Sequence, residues 1–345
     1  MTKKYELLKD EYIEHKGRIL YRVRALKAFG DIQIGDKGGY IENENNLSQN
    51  NDCWVHNEAK IYDRAEVFGD AHIYNYAEVY GDARIHGAAQ IYDKALILDQ
   101  AEIFCKAKIR DEVRIYGNAI INEYAIVSDN AEICDNVLIY DRAEIFGSAR
   151  ISGNARIGGE ARVYENALVF DNAKIRERAK VYGEARVYDN ALIYERANIY
   201  DRARIYDNAN ISGDASIYGA AWIYGNAKVD ESAKVYGSSR VYGNAKILVE
   251  AKIFGCARIF KGNIIGQVSM EYKNIFQYRF TNNVLTAILN NNNNILYSID
   301  CKNNITEEEF REYICNANIY LNRCESAKEY LSLIPLINSY FEGGK

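Results

Sequence analysis

A six-residue period runs through the centre of the chain without interruption. From residue 59 to residue 257, every sixth residue of thirty-four consecutive units is Ala, except at Val113, Val137 and Ser239. The position two residues later, from 61 to 259, is always Ile or Val. A period held over this length predicts an architecture in which one short unit is stacked on copies of itself.

Each unit alternates between two sides before it turns. Ala59 and Ile61 are two residues apart, so in a strand their side chains point to the same side. The next pair of residues, such as Gly69-Asp70 or Asp141-Arg142, favours the bent backbone of a corner. Three strands and three corners predict a triangular coil of eighteen residues, in which each strand pairs in parallel with the strand one coil later. A helix is excluded, because apolar positions six apart cannot stay on one face at 3.6 residues per turn.

The unit can be written as aliphatic, variable, Gly or Asp, variable, Ala, variable. This pattern resembles the hexapeptide repeat of left-handed parallel β-helices. The resemblance implies an all-β solenoid, a single-stranded left-handed parallel β-helix, although general crossover rules favour the opposite hand. We expect an interior of stacked Ile and Val, where burial of each side chain contributes about 1.5–3 kcal/mol before entropy is subtracted.

The pattern predicts three domains: an N-terminal β cap at 1–40, the hexapeptide-repeat β-helix at 41–262 and a hairpin-plus-helices module at 263–345. Residues 5–13 and 18–25 predict a hairpin in the cap, and residues 284–289 and 295–300 predict another in the last module. Thr306 and Glu309 are spaced as a capping box, which predicts a helix to about Ala317. Residues 326–341 predict a second helix that Pro335 kinks or breaks. We expect both terminal modules to cap the solenoid.

A run of unusual residues precedes the regular repeat. Its members are Phe29, Asp31 and Ile32, then Gly38-Gly39-Tyr40, Asn45-Asn46-Leu47-Ser48-Gln49 and Asp52-Cys53-Trp54-Val55. The run resembles the N-terminal region of the YdcK-like hexapeptide-repeat proteins of bacteria and prophages, which have the LpxA-like superfamily fold. The acetyltransferase activity associated with that family rests largely on its fold, and fold alone does not establish chemistry.

The composition favours a cytoplasmic protein. The N-terminus lacks the apolar segment of a signal peptide, and no apolar run approaches the roughly eighteen residues of a membrane span. The seven cysteines are an odd number and form no CxxC pair, so neither a disulfide framework nor a metal site is predicted.

The net charge of −5 is unevenly distributed along the repeat. Residues 59–149 contain 9 Lys+Arg and 16 Asp+Glu, whereas residues 150–262 contain 18 and 13. The resulting dipole favours head-to-tail attraction or an anionic ligand on the second half. Random variation of surface residues explains this uneven charge distribution equally well.

Hexapeptide acyltransferases, by resemblance, use a His as general base for acyl transfer from an acyl-CoA such as acetyl-CoA, at a cleft completed by an inserted loop. None of the thirty-four units here contains an insertion. His56 lies beside the Asp52-Cys53-Trp54 segment, and His86 lies between Phe68 and Phe104 in an outward column. Both are weak catalytic candidates, because an exposed ladder histidine is the simpler interpretation.

The slot after each aliphatic residue points outward, and 22 of its 34 occupants are Tyr or Phe. Beyond residue 150, one face of the prism carries basic residues or Trp two positions before these rings, so the side chains lie next to each other. This candidate binding face consists of Arg186, Tyr188, Arg204, Tyr206, Trp222, Tyr224, Arg240 and Tyr242. It suits an extended anionic or ring-bearing polymer, either a glycan or a single-stranded nucleic acid.

Three further considerations bear on this face. The acidic corner residues Asp189 and Asp207 weaken a polyanion interpretation. Aromatic side chains also stabilise strand ladders without any ligand, and an exposed aromatic face suits a protein partner or lateral self-association.

We predict a non-enzymatic scaffold or binding protein that presents its aromatic faces to a partner or polymer and needs no cofactor; a hexapeptide-type acyltransferase is the alternative.

Overall fold

The computed structural model describes residues 3–255, 258–264, 269–270, 275–279, 284–289, 294–299, 302–321, 331, 334–335 and 337–338. The chain divides into two compact units, Met1–Glu184 and Ala185–Lys345. Both contain parallel β-solenoid coils, so the predicted fold class is confirmed. The left hand of the coil and the three predicted domain boundaries stay predictions.

The first unit begins with the predicted β-hairpin. Strand β1 (Tyr5–His15) pairs antiparallel with β2 (Arg18–Ala25) around a turn in which Lys16 and Gly17 have positive φ angles. Strand β3 (Lys37–Ile41) pairs antiparallel with β2 and parallel with Lys60–Ile61 of the solenoid. It therefore joins the cap to the first coil. A short 3₁₀ helix follows at Glu44–Asn46.

Two-residue strands make up the solenoid of the first unit. Strands β4–β25 recur every six residues, from Trp54–Val55 to Lys180–Val181. Within this unit, each strand from β4 to β22 pairs in parallel with the strand eighteen residues later, as Gln90–Ile91 does with Lys108–Ile109. The inward Ala and Ile or Val positions, such as Ala89 and Ile91, are fully buried. The eighteen-residue coil and its aliphatic core are thus confirmed.

Each corner places one residue in the left-handed backbone region. Asp63 has φ 58°, Gly69 has φ 67° and Asn75 has φ 58°. Gly adopts such angles without a steric cost, and Asp and Asn tolerate them better than other residues. The Asp side chains also accept hydrogen bonds from the backbone of the next coil: Asp99 Oδ2 accepts one from the backbone N–H of Gly117 at 3.0 Å. The corner residues therefore both bend the chain and connect successive coils.

The second unit continues with the same kind of strand. Strands β26–β34 recur from Arg186–Val187 to Lys234–Val235. Four further parallel strands follow: β35 (Arg240–Ile247), β36 (Lys252–Ile253), β37 (Arg258–Ile264) and β38 (Ser269–Met270). An antiparallel sheet then comprises β39 (Ile275–Arg279), β40 (Val284–Leu289), β41 (Ile295–Ile299) and β42 (Lys302–Ile305).

The predicted hairpin and capping box of the C-terminal module are confirmed. Strands β40 and β41 pair antiparallel, and helix α1 (Glu307–Leu321) begins with a hydrogen bond from Thr306 N to Glu309 Oε2 at 2.7 Å and one from Glu309 N to Thr306 Oγ1 at 3.2 Å. The helix runs four residues beyond the predicted end. The second predicted helix, at 326–341, falls largely outside the described residues. No helix within the described ranges is long and apolar enough to cross a membrane.

Candidate binding face

All eight residues of the candidate face lie in the second unit, in two adjacent columns. Arg186 is in register with Arg204, Arg204 with Trp222, and Trp222 with Arg240. The tyrosine column lies two residues further along each strand, and side chains two apart share a face. We call these two columns the Arg/Tyr face. The structure brings the eight residues together; their role in binding stays a prediction.

The four tyrosines form one continuous stack. Ring centroids are 5.0 Å apart between Tyr188 and Tyr206, and 4.9 Å apart between Tyr206 and Tyr224 and between Tyr224 and Tyr242; the planes differ by at most 4°. Inside the stack, each ring therefore covers the faces of its neighbours. A ligand meets ring edges and hydroxyl groups instead of ring faces.

The hydroxyl groups of Tyr188 and Tyr206 stay protonated at neutral pH. Burial, with smaller contributions from Tyr224 and Tyr188, raises the pKa of Tyr206 to about 12. Burial also raises the pKa of Tyr188. Neutral phenols donate and accept hydrogen bonds, so positive charge on the face comes from its arginines.

Trp222 is oriented differently from the tyrosines. Its ring is tilted 72° from that of Tyr206, with 6.4 Å between centroids. The guanidinium carbons of Arg204 and Arg240 lie 4.9 and 4.6 Å from the indole centre. Both distances are in the range of cation–π attraction, so the indole orders the two arginines that flank it in the column.

The guanidinium groups of this face form no ion pair in the described part of the chain. Among the described residues, no carboxylate lies within 4 Å of the guanidinium groups of Arg186, Arg204 or Arg240. In the first unit, two ladder arginines do have an acidic partner: Arg150 Nε lies 3.5 Å from Glu132, and Arg162 Nε lies 2.8 Å from Glu144. Arg162 is also in register with Lys180 on its other side. Like charges directly opposite each other destabilise a sheet, and Arg186 and Arg204 are such a pair.

The two acidic corner residues beside the face are engaged with backbone. Asp189 Oδ2 accepts from the N–H of Asp207 at 3.2 Å, and Asp207 Oδ2 accepts from the N–H of Gly225 at 2.9 Å. These bonds hold the carboxylates at the corner. Each carboxylate keeps its negative charge beside the face, so these two residues still weaken a polyanion interpretation.

An amide ladder follows the corner, which sequence reasoning missed. Asn208 Nδ2 donates to Asn226 Oδ1, and Asn226 Nδ2 donates to Asn244 Oδ1, each at 3.2 Å. Recurrence of Asn at intervals of eighteen residues was the available signal. The ladder adds a row of polar groups along the same edge of the coil.

The first catalytic candidate, His56, contacts another histidine. Its Nε2 lies 2.9 Å from Nδ1 of His72, and its ring stacks on Tyr74 at 4.2 Å. Burial, and then the proximity of His72, lower the pKa of His56 to about 4. An imidazole with such a pKa is a weak base at neutral pH. These contacts give His56 a packing role at the base of an aromatic column.

The second candidate, His86, lies where its position in the repeat predicts. It stacks between Phe68 and Phe104, with centroids 4.7 and 4.9 Å away. Its Nε2 lies 3.0 Å from Glu102 Oε1. A carboxylate can orient an imidazole for base catalysis, so this contact is the one feature of a general base near either candidate. No cluster of three or more His, Cys, Asp or Glu suited to a metal ion occurs in the described part of the chain.

The unusual residues before the repeat build the junction between cap and solenoid. A Cβ atom on Gly38 would lie 2.6 Å from Val23 Cγ2 and 2.8 Å from Trp54 Cζ2, and would also collide with the carbonyl of Val55. Asn46 Nδ2 donates to the carbonyl oxygen of Ala65 at 2.9 Å. Close packing and hydrogen bonding to the backbone account for these residue types without any catalytic role.

The chain is similar to a repeat family and to solved structures. The family model of the YdcK β-solenoid repeat matches residues 113–129. Among solved structures, LpxA from Acinetobacter baumannii is 14% identical, with a TM-score of 0.28; the match covers 64% of this chain and 74% of that one. Comparison with curated proteins gives no match. The chain is therefore a β-solenoid protein whose residues 113–129 match the YdcK-type repeat.

Proposed function

We propose that this protein is a non-enzymatic scaffold whose Arg/Tyr face binds an extended anionic polysaccharide. The observation that carries the proposal is the column of arginines without acidic partners, in which Arg186 and Arg204 are direct neighbours. An anionic ligand would relieve the repulsion that this arrangement creates. Guanidinium groups suit carboxylates because their planar fork donates two parallel hydrogen bonds.

The repeat supports an extended ligand. Successive parallel strands are about 4.8 Å apart, so each coil presents one new phenol and one new basic or indole side chain. A polymer that lies along the coils therefore meets the same groups at regular intervals. Carboxylates spaced at one or two coil heights would match the arginines.

The ring geometry favours a carbohydrate over a nucleic acid. Proteins bind single-stranded nucleic acids largely by stacking bases on aromatic faces. Within the Tyr188 to Tyr242 stack those faces are covered by neighbouring rings. Phenol hydroxyls, guanidinium groups and the Asn208–Asn226–Asn244 ladder instead offer many hydrogen-bonding groups, which suit a hydroxyl-rich polymer. A cytoplasmic location and a prophage setting are part of this proposal.

Acyl transfer from an acyl-CoA donor is the second candidate function. The specific observation that favours it is the 3.0 Å contact between His86 Nε2 and Glu102 Oε1. A thermal melt with acetyl-CoA tests it. Stabilisation that disappears in a His86→Gln variant would support the enzyme, and an unchanged melting temperature would count against it.

The binding proposal is tested with a charged oligosaccharide of defined length, such as oligogalacturonate, in a calorimetric titration. The double variant Arg204→Ala, Tyr206→Ala should bind about tenfold more weakly, equal to about 1.4 kcal/mol. The matched control is Lys234→Ala, Tyr236→Ala, which removes a basic residue and a ring at the same spacing from another column. It should change the affinity by no more than about twofold.

Three results would contradict the proposal. Equal loss in both double variants would point to diffuse charge instead of a defined face. Tighter binding of oligothymidylate than of oligogalacturonate would overturn the choice of carbohydrate. Light scattering that shows an Arg204-dependent oligomer without ligand would identify the face as a self-association surface.

A further inference from the structure

A buried amine and a buried thiol face each other in the first unit, remote in sequence from the Arg/Tyr face. Lys4 is 1% exposed and Cys53 is fully buried. Lys4 Nζ lies 3.2 Å from Cys53 Sγ. The two side chains contact each other directly, although Lys4 and Cys53 are 49 positions apart in the chain.

The surroundings hold both groups in place. Lys4 Nζ donates to the carbonyl oxygens of Cys53 at 2.8 Å, Asn51 at 3.2 Å and Asn50 at 3.3 Å. The Phe29 ring lies on another side, with its centroid 5.0 Å from Nζ. Gln49 Oε1 accepts from the backbone N–H of Lys4 at 2.7 Å. The amine therefore has little freedom to move away from the sulfur.

Hydrogen bonds to the three carbonyls would by themselves explain why a lysine is buried here. They do not require a thiol beside it. Burial lowers the pKa of Lys4, which eases loss of the ammonium proton. An uncharged amine and a thiol are both nucleophiles. When they lie next to each other, an oxidant can link them covalently.

We propose that Lys4 and Cys53 form a covalent nitrogen–oxygen–sulfur bridge when the protein is exposed to dioxygen. The S–H bond and one N–H bond of the neutral amine are broken, and N–O and O–S bonds form. One oxygen atom of dioxygen becomes the bridge, and the other leaves as water with the two hydrogens. Sulfur and nitrogen are each oxidised by two electrons, and dioxygen takes up all four. The proton of the original ammonium passes to solvent.

The bridge would connect the start of β1 to the first coil. A covalent connection across 49 positions restricts the unfolded chain more than the folded one. The oxidised protein should therefore melt at a higher temperature than the reduced protein. A thiol reductant should reverse the increase. Its thiolate attacks the sulfur and breaks the O–S bond, the lysine nitrogen leaves as a hydroxylamine, and a second thiol reduces the resulting mixed disulfide to the Cys53 thiol.

Mass spectrometry of the wild-type protein tests the proposal without any variant. Protein purified under reducing, anaerobic conditions is compared with the same sample after exposure to air-saturated buffer, and both are digested without reductant. We expect one new species in which the Lys4 and Cys53 peptides are joined, with the mass of their sum plus one oxygen and minus two hydrogens. It should disappear after reduction.

The variants Lys4→Met and Cys53→Ala, where they fold, should give no linked species. A Cys53 thiol that stays fully alkylatable after exposure to oxygen would overturn the proposal. A Cys53 peptide that gains oxygen without linkage to Lys4 would overturn it too, because it would show ordinary thiol oxidation.

Discussion

Arg204 is the parallel-ladder neighbour of Trp222, and its guanidinium carbon lies 4.9 Å from the centre of the indole ring. Arg240, on the opposite neighbouring strand, makes the same kind of contact at 4.6 Å. The indole thus lies between two cations that the repeat places two coils apart. Arg186 has no such spacer, because its neighbour in the column is Arg204 itself. Stability and the proposed binding therefore make opposing demands at position 186.

Replacement of Arg186 by Glu should separate these two demands. A carboxylate opposite Arg204 reproduces the pairing of Glu132 with Arg150 in the first unit. We expect a gain of about 0.2–1 kcal/mol in the free energy of unfolding. The same change should weaken oligogalacturonate binding, because it brings a negative charge onto the face. Thermal melts and titrations at low salt measure both effects.

Arg186→Gln is the matched control, since it removes the positive charge without adding a negative one. Its effects on stability and on binding should lie between those of wild type and Arg186→Glu. High salt should reduce all differences, because exposed charges are screened. Lower stability of Arg186→Glu at low salt would show that repulsion in this column is not significant.

Gly38 and Gly158 should respond differently to replacement by alanine. At Gly38 the new methyl group would meet the carbonyl oxygen of Val55, which belongs to the backbone and cannot move aside. At Gly158 it would meet the ring of Tyr140, with Cε1 2.7 Å away, and this side chain can swing into solvent. We expect Gly38→Ala to cost about 3 kcal/mol and Gly158→Ala less than about 1 kcal/mol. Urea titrations measure the free energy of unfolding of both variants. Equal losses of stability in the two variants would contradict the distinction between a backbone obstacle and a side-chain obstacle.

The eighteen-residue coil could be predicted because the same six-residue pattern specifies it in every repeated unit. Ala59 and Ile61 define the inward side of a strand, and a corner residue such as Asp63 ends it. Each repetition of the unit supports the same register, so an error of one residue would expose every Ile. The cap hairpin was predictable for a similar reason, since its turn at Lys16 and Gly17 separates two runs of strand-forming residues.

The chemistry of the surface was less predictable, because it depends on side-chain orientation. Spacing placed Trp222 beside Tyr224, but it did not indicate that the indole lies at 72° to the ring of Tyr206 and between two arginines. The contact between Lys4 and Cys53 depends on how the cap docks against the first coil. No periodicity of the sequence encodes that arrangement.

The pair of His56 and His72 should make the first unit sensitive to acid. The folded-state pKa of His56 is about 4, below its ordinary value of 6.5, chiefly because of burial. Between these values the unfolded state binds more protons, so stability is lost as pH falls from about 6.5 to about 4. We expect the melting temperature of the wild-type protein to decrease across this window.

His56→Phe isolates this contribution, because phenylalanine can keep the stack on Tyr74 and has no proton to gain. The variant should lose less stability than wild type between pH 7 and pH 4.5, while acid effects from other groups are common to both proteins. Parallel pH profiles of the two melting temperatures would show that His56 does not titrate in the folded state as its burial implies.

Val249 occupies a corner that the repeat normally gives to Gly, Asp, Asn or Glu. Its φ angle is 60°, in the left-handed region, whereas Gly213 and Glu231 occupy the corresponding corners of the two preceding coils. A β-branched residue there is strained, at a cost of about 1–2 kcal/mol. Val249→Asn should therefore stabilise the second unit by about 1 kcal/mol, since Asn tolerates this conformation. Val249→Thr keeps the branched Cβ and should give no gain. A melting temperature that rises equally in both variants would assign the effect to polarity, and no rise with Asn would show that the corner carries no strain.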